Sequence, residues 1–141
     1  MEAAAKTFFS SKYFAVAVLY WYHAHSLPVT PLTPSRPSIS ISSTSYPTIP
    51  SPSALPHPTE TSLSIITQPS VTKQVLKEAK EAGVPAVWLQ PGSFDDEGLE
   101  YAKREFKAGV GGDGGRGGEG WCVLVDGDWC MKAVREEREK L

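Results

Sequence analysis

The chain has 141 residues, a length that suits one domain built around one hydrophobic core. Its 14 basic and 16 acidic residues give a formal net charge of −2, which provides no electrostatic footprint for nucleic acid. Cys122 and Cys130 are the only cysteines, too few for a disulfide framework and too far apart for a CxxC zinc site. We therefore expect one domain over residues 1–141, with reduced thiols, in the cytoplasm.

The first apolar run extends from Phe14 to Tyr22. It is about half of the ~20 residues needed to cross a bilayer, and no small-residue cleavage site follows it, so neither a membrane span nor secretion is expected. Ala15–Val18 is typical of a first buried strand. No glycine occurs before Gly83, although a nucleotide-binding strand is usually followed by a glycine-containing turn.

Residues 26–61 are rich in Pro, Ser and Thr and contain only two charged side chains, a composition typical of loops and linkers. Within this segment, prolines fix extended backbone around residues 28–33, which predicts a short second strand. Residues 35–61 are predicted to be mostly irregular loop.

A clearer pattern begins at Ser62. "SLSIITQP" predicts a strand ended by proline, and Ser70 is predicted to cap the helix that follows. Gly83 is placed to end that helix, and "VPAVWLQPG" predicts a strand covered on both faces. The predicted apolar stripe of the helix consists of Val71, Val75, Leu76, Ala79 and Ala82.

A second amphipathic helix is predicted after Ser93, which we expect to cap it. Its acidic first turn, residues 95–97, is explained by capping and the helix dipole rather than by paired catalytic carboxylates. "FKAGV" predicts another strand, residues 109–120 a flexible glycine-rich loop, "WCVLVDG" a further strand, and residues 131–141 a charged, helical tail. The glycine tract contains GxGxxG, but it does not join a strand to a helix in this prediction, so a phosphate cradle is the less favoured interpretation.

Strands and helices alternate from residue 62 to 110 with short connections. Such alternation predicts parallel strands joined by right-handed helical crossovers. The fold class is therefore α/β, a three-layer Rossmann-like domain with a mostly parallel sheet and a truncated first βα unit.

The segment "SLSIITQPSVTKQVLKEAKEAGVPAVWLQPGSFDDEGLEYAKREF" resembles the small CoA-binding-domain family, whose members are similar to the nucleotide-binding part of the succinyl-CoA ligase alpha subunit. Residues 88–92 are the most specific element of the likeness. It extends more weakly to "HSLPVTPLTP" and to "GWCVLVDG", which look like the fungal branch of the family. The resemblance implies that CoA is the bound cofactor, with NAD(P) less favoured.

Ligands of open α/β sheets bind at the carboxyl ends of the strands. The resemblance implies that polar groups at these ends contact adenine and ribose, and that the Gly92 backbone lies near the phosphates. The prolines and Gly92 have an equally favoured alternative role as strand terminators. The predicted cofactor-binding residues are Thr33 and Pro34 after the second strand, Thr67, Gln68 and Pro69 after the third, and Gln90, Pro91 and Gly92 after the fourth.

The chain departs from the family pattern after Val18. The resemblance implies a glycine-containing turn and the start of a helix there, whereas bulky Leu19, Tyr20 and Trp21 follow directly. These side chains cannot reproduce the backbone surface that holds a pyrophosphate. A loss of the segment in the protein and an error in the gene model are both open explanations, and sequencing the transcript distinguishes them.

The sequence therefore predicts a non-catalytic module that binds CoA or another adenine nucleotide, with binding impaired by the missing turn. A degenerate, non-binding member that acts as an interaction protein is the alternative, and an NAD-linked oxidoreductase is less favoured. No catalytic residues are predicted, and the spacing of His23 and His25 does not favour a metal site. The expected partner is a small nucleotide ligand, with neither nucleic acid nor membrane.

Overall fold

The computed structural model describes residues 1–16, 19–33 and 36–140. In chain order, the elements are α1 (Glu2–Phe9), β1 (Tyr13–Val16), α2 (Leu19–Ala24), β2 (Val29–Pro31), β3 (Ser38–Ile41), β4 (Thr44–Pro47), β5 (Thr61–Ile65), α3 (Pro69–Ala82), β6 (Ala86–Leu89), α4 (Asp96–Glu105), β7 (Ala108–Val110) and α5 (Val123–Glu139). Two 3₁₀ turns, Pro52–Ala54 and Pro58–Glu60, precede β5.

Five strands form one sheet in the order β2-β1-β5-β6-β7, and every pairing in it is parallel. The strand order reverses between β1 and β5, because the chain first adds β2 on one side of β1 and then β5, β6 and β7 on the other. This reversal is the topological switch point, where open α/β sheets bind ligands at the carboxyl ends of the strands. The predicted α/β class and parallel sheet are confirmed.

Helices cover both faces of the sheet and make the three predicted layers. One face of the sheet packs against α1, α2 and α5, and the opposite face packs against α3 and α4. Alternation along the strands separates the two cores: Phe14 and Trp88 face the first, while Leu63 and Val87 face the second. The β6 strand is buried on both faces, as its continuous apolar sequence predicts.

The helix α3 forms where it was predicted, but its first turn differs. Gln68 occupies the N-cap position and Pro69 the first helical position, so the prediction that Ser70 caps the helix is wrong. Proline is favoured there because the missing N–H is one that the helix leaves unpaired. Val71 is exposed, and Thr72 is buried in its place. Gly83 ends the helix with a left-handed φ of 91°, as predicted.

The Pro/Ser/Thr-rich segment is more ordered than the predicted loop over residues 35–61. The strands β3 and β4 form an antiparallel hairpin over residues 38–47, so the loop prediction is wrong there. Ile39, Ile41 and Tyr46 alternate with hydroxyl residues and pack against the core, while the Ser and Thr side chains face outward. The loop prediction rested on composition, which does not show this alternation of apolar and hydroxyl residues.

The predicted strand "WCVLVDG" is instead the start of α5. Val123, Gly127, Cys130 and Val134 are buried at helical spacing, and this pattern overrides the β-propensity of the apolar run. Gly127 lies against the Trp21 ring, where an added Cβ would come within 2.5 Å of a ring carbon. The helix then continues through the charged tail that was predicted to be helical.

We expect Gly109→Ala to destabilise the protein by about 1–3 kcal/mol, because it overpacks the contact between β7 and α4. A Cβ at this position would lie 2.6 Å from the Ala102 carbonyl oxygen, which is backbone and cannot rotate away. The measurement is the free energy of unfolding in urea. Gly118→Ala is the matched control, because an added Cβ there meets nothing within 4 Å. Equal stability of the two variants would contradict the packing.

Candidate functional site

The predicted site residues follow the ends of three parallel strands and therefore share one edge of the sheet, which we call the carboxyl edge. Thr33 follows β2, Thr67 follows β5, and Gln90 follows β6. Strand spacing places β2 and β6 about 14 Å apart, with β1 and β5 between them. Pro34 lies outside the described residues. The other predicted residues lie along this edge, at the ends of β2, β5 and β6.

The residues after β5 form a compact turn into α3. The Thr67 and Thr72 hydroxyls lie 2.8 Å apart, and the Gln68 carbonyl accepts hydrogen bonds from the Val71 and Thr72 N–H groups, each at 2.9 Å. Pro69 begins the helix. The Gln68 side chain is exposed, as is Ile66, whose side chain is 49% exposed. This turn therefore offers an amide and an apolar surface to solvent beside the switch point.

The predicted residues after β6 lie in a tight turn and do not begin a helix directly, unlike those after β5. The Gln90 carbonyl accepts from the Ser93 N–H at 3.0 Å across Pro91 and Gly92, and Gly92 has a φ of 85°. This geometry is that of a type II turn, in which proline precedes a left-handed glycine. Gln90 is only 3% exposed, and its side-chain oxygen accepts from the Val123 N–H at 3.0 Å. The Gln90 amide therefore joins β6 to the start of α5, and its contact with a ligand stays a prediction.

Thr33 is held by the chain that returns from the hairpin. Its N–H donates to the Ile49 carbonyl at 2.9 Å, and the Ile49 N–H donates to the Pro31 carbonyl at 3.1 Å. Residues 48–49 thus support the end of β2 from the side away from β1. This support was not predictable from the sequence, because it arises from the hairpin.

The glycine-rich loop is organised by a residue that the sequence interpretation missed. The Asp126 carboxylate is fully buried and accepts from the Arg116 N–H at 2.7 Å and the Cys122 N–H at 3.0 Å. Gly115 has a φ of 76° and lies so close that an added Cβ would be 2.6 Å from an Asp126 oxygen. The Arg116 guanidinium lies 4.7 Å from the centre of the Trp129 ring. The loop is therefore fastened to α5, with Arg116 on Trp129.

Asp126→Asn should destabilise the protein by about 2–3 kcal/mol, because in this buried side chain an amide group would replace one of the two oxygens that accept from the Arg116 and Cys122 N–H groups. Urea unfolding measures this loss, and faster hydrogen exchange at the Arg116 and Cys122 amides locates it. Asp113→Asn is the matched control in the same loop, because Asp113 is exposed. Unchanged exchange at those two amides would contradict the role of Asp126.

The switch point has a short connection. The β1 strand ends at Val16 and α2 begins at Leu19, so only residues 17–18 separate them, and these lie outside the described residues. The helix has 6 residues, of which Leu19, Trp21 and Tyr22 are buried and Tyr20 is 71% exposed. The truncated helix predicted from the sequence is therefore present, and its large side chains Leu19, Trp21 and Tyr22 pack into the core.

Two buried hydroxyls lie close together between β5 and α2. Ser64 is paired in register with Val16, and its hydroxyl and that of Tyr22 have no hydrogen-bond partner among the other described residues. Burial raises the pKa of the Tyr22 phenol far above its ordinary value, and the nearby Ser64 hydroxyl opposes only part of the rise. Tyr22 is therefore neutral, and the two buried hydroxyls bring no charge to this part of the core.

The remaining candidate groups have structural partners. The ring nitrogens of His25 contact the Trp21 carbonyl at 2.8 Å and an Asp128 oxygen at 2.6 Å, while the Nδ1 of His23 lies 2.6 Å from the Tyr46 hydroxyl. Burial, with a contribution from Asp126, raises the pKa of the Cys130 thiol to about 12, which keeps it in the unreactive protonated form. His23 therefore contacts the hairpin, whereas His25 contacts α5.

Asp95, not Ser93, caps α4, so that prediction is wrong. Its side chain accepts from the Gly98 N–H at 2.8 Å, while the Ser93 hydroxyl donates to the Gln90 carbonyl at 2.7 Å. The Gly98 N–H and the Lys73 ammonium, 3.0 Å from Asp95, lower the pKa of the Asp95 carboxyl. The acidic first turn is thus explained by capping and ion pairing.

Because the folded-state pKa of Asp95 lies below its unfolded value, its contribution to stability is present above the unfolded pKa and is lost as pH falls through the folded pKa. We expect the melting temperature of Asp95→Asn to lie below that of the native chain at neutral pH, and the gap to close between about pH 5 and pH 2. Thermal unfolding monitored by circular dichroism measures both. Glu119→Gln, at an exposed loop position, should show no such convergence. A gap that persists at low pH would contradict the carboxylate's role.

Three cavities lie away from the carboxyl-edge residues. One of about 270 Å³ lies between α3 and α4, and two of about 220 and 420 Å³ lie near the amino ends of the strands. None of these three is lined by Thr33, Thr67 or Gln90. These three cavities are therefore separate from the predicted site residues. Among the described residues, none of the helices combines the length and the hydrophobicity of a transmembrane span.

Comparisons with known proteins agree with this architecture. A hypothetical protein from Pyrococcus horikoshii superposes with a TM-score of 0.71 at 14% identity, over 93% of this chain and 92% of that one. A conserved hypothetical protein from Pyrococcus furiosus gives a TM-score of 0.56 at 23% identity, over 67% of this chain and 87% of that one. At these identities, the likeness shows the fold. A search of curated proteins returned no match.

The family model is more specific than the fold. The model described as the CoA binding domain matches residues 10–120, a span that runs from β1 through the glycine-rich loop. It includes every predicted cofactor-binding residue. The chain belongs to the CoA-binding domain family.

Proposed function

We propose that this chain is a non-catalytic module that binds CoA, or its adenine-nucleotide part, at the carboxyl edge. The observation that carries the proposal is the parallel sheet with its switch point between β1 and β5, in a chain that belongs to the CoA-binding domain family. Sheets of this kind bind nucleotides at that point. CoA is the favoured ligand, and NAD(P) ranks below it because the glycine fingerprint of dinucleotide sites is missing after β1.

The groups available at the edge suit an adenosine. The exposed Gln68 amide can donate and accept hydrogen bonds, and the exposed Ile66 side chain beside it offers an apolar surface for a purine ring. The row from Thr33 to the turn at Gly92 spans about 14 Å by strand spacing, which is long enough for adenine, ribose and a pyrophosphate. The proposal places adenine near β5 and keeps the Gly92 backbone, after β6, as the expected contact of the phosphates.

We propose further that binding is weakened at the phosphates. A pyrophosphate is normally held by backbone N–H groups of a glycine-containing turn and of the helix that follows it. Here two residues join β1 to a helix of 6 residues, and no glycine is present in that part of the sequence. The helix instead buries the Leu19, Trp21 and Tyr22 side chains in the core. Affinity should therefore come from adenosine contacts more than from phosphate contacts.

Calorimetric titration of the full chain with CoA, ADP and NAD tests the proposal. We expect CoA and ADP to bind with similar dissociation constants, in the range of about 0.1–1 mM, because the shared adenosine supplies most of the affinity. Ile66→Asp should raise both constants at least about tenfold, since it places an anion beside the phosphorylated ligand. Ser43→Asp adds the same charge at the exposed hairpin turn and is the matched control.

The outcomes separate the proposal from its alternatives. Absence of heat and of thermal stabilisation with every nucleotide at millimolar concentration would favour the non-binding interaction protein. Binding that Ile66→Asp leaves unchanged would move the ligand away from the carboxyl edge. A change in nicotinamide absorbance when the protein is assayed with a panel of substrates would favour the oxidoreductase instead. The two cysteines fit a cytoplasmic location, which fractionation of cells that express the protein would test.

A further inference from the structure

We infer that the chain has a second ligand site, for a small amphipathic monoanion such as an aromatic carboxylate, at the amino edge of the sheet. The site is a cavity of about 220 Å³ between the start of β1 and the second half of α5. It lies at the end of the strands opposite the proposed nucleotide site. We call it the amino-edge cavity.

The floor of the amino-edge cavity is apolar and rigid. Phe14 and Val134 line it and are 2% and 7% exposed, and the half-buried Leu27 closes one side. Cavities of about 150 Å³ hold a benzene ring, so this one has room for a ring with one small substituent. Such a floor favours an apolar ligand body, because ligand sites gain most of their affinity from buried apolar surface.

The rim of the cavity is cationic. Arg135, Arg138 and Lys12 line it, and no acidic residue does. Neither arginine forms an ion pair with a described residue, whereas Lys12 is 3.2 Å from Glu60. Two guanidinium groups beside an apolar pocket therefore select an anionic head group, which arginine can bind through two parallel hydrogen bonds.

Four of the residues that line the cavity lie on one face of α5. Met131, Val134, Arg135 and Arg138 line the cavity at the spacing i, i+3, i+4 and i+7, which is one face of a helix. Among the carboxylates of the last turns of α5, Glu136 pairs with Lys132 and Glu137 pairs with Lys6, whereas Glu139 forms no ion pair with a described residue and does not line the cavity. Arg135 and Arg138 therefore line the cavity with no carboxylate in its lining.

Amide chemical-shift mapping with the full chain tests this site, with benzoate, benzyl alcohol and benzylamine as probes of equal shape and different charge. Benzoate should shift the Leu27 and Val134 amides saturably, benzyl alcohol more weakly, and benzylamine not at all. Arg135→Gln with Arg138→Gln should raise the benzoate dissociation constant roughly tenfold, because two charge-assisted contacts are lost.

The control is Lys77→Gln with Lys103→Gln, which removes the same net charge at exposed positions outside the cavity and should leave the constant unchanged. Equal effects of benzoate and benzylamine, an unaffected double variant, or shifts confined to the carboxyl edge would each overturn the inference. All of these positions are exposed, so folding is retained and unliganded melting temperatures verify it. The result is independent of CoA titration, because the two sites lie at opposite ends of the sheet.

Discussion

The structure depends on the burial of Trp88 at the centre of β6. Its side chain is fully buried and contacts the rings of Phe8, Phe9 and Trp121, with centroids 5.5–6.0 Å away. Its ring N–H lies 3.4 Å from the Trp121 carbonyl. One side chain therefore brings together α1, the sheet and the end of the glycine-rich loop. A large aromatic side chain suits this position because it buries much apolar area and also carries a hydrogen-bond donor.

The strand that carries Trp88 also fixes the carboxyl edge. Two residues further on, Gln90 holds the first turn of α5, and the tight turn through Gly92 leads the chain towards α4. Asp126, one turn into α5, then holds the glycine-rich loop. Much of the polar chemistry that the sequence offers at this edge is consequently used to assemble the fold. Within the described residues, the turn after β5 and the Tyr20 side chain stay exposed near the switch point.

The helix α5 gives the two edges of the sheet different characters. It has 17 residues, so it spans about 25 Å and reaches from one end of the strands to the other. Val123 in its first turn is buried and donates its N–H to the Gln90 side chain, and the second half of the helix presents arginines beside an apolar cavity. The family model ends at residue 120, before α5 begins, so the amino-edge cavity uses a part of the chain outside the family match.

The βαβαβ order from residue 62 to 110 was predictable from the sequence, because buried strands and amphipathic helices have distinct periodicities and Gly83 ends α3 through its left-handed conformation. The short first βα unit was predictable as well. Tertiary contacts set the helical start of α5 and the hairpin over residues 38–47: Gly127 packs against Trp21, and Tyr46 of the hairpin contacts His23 of α2. They also set the contact between the Gln90 amide and α5, because the partner of a side chain is set by the element that packs against it, and local sequence carries no information about that element.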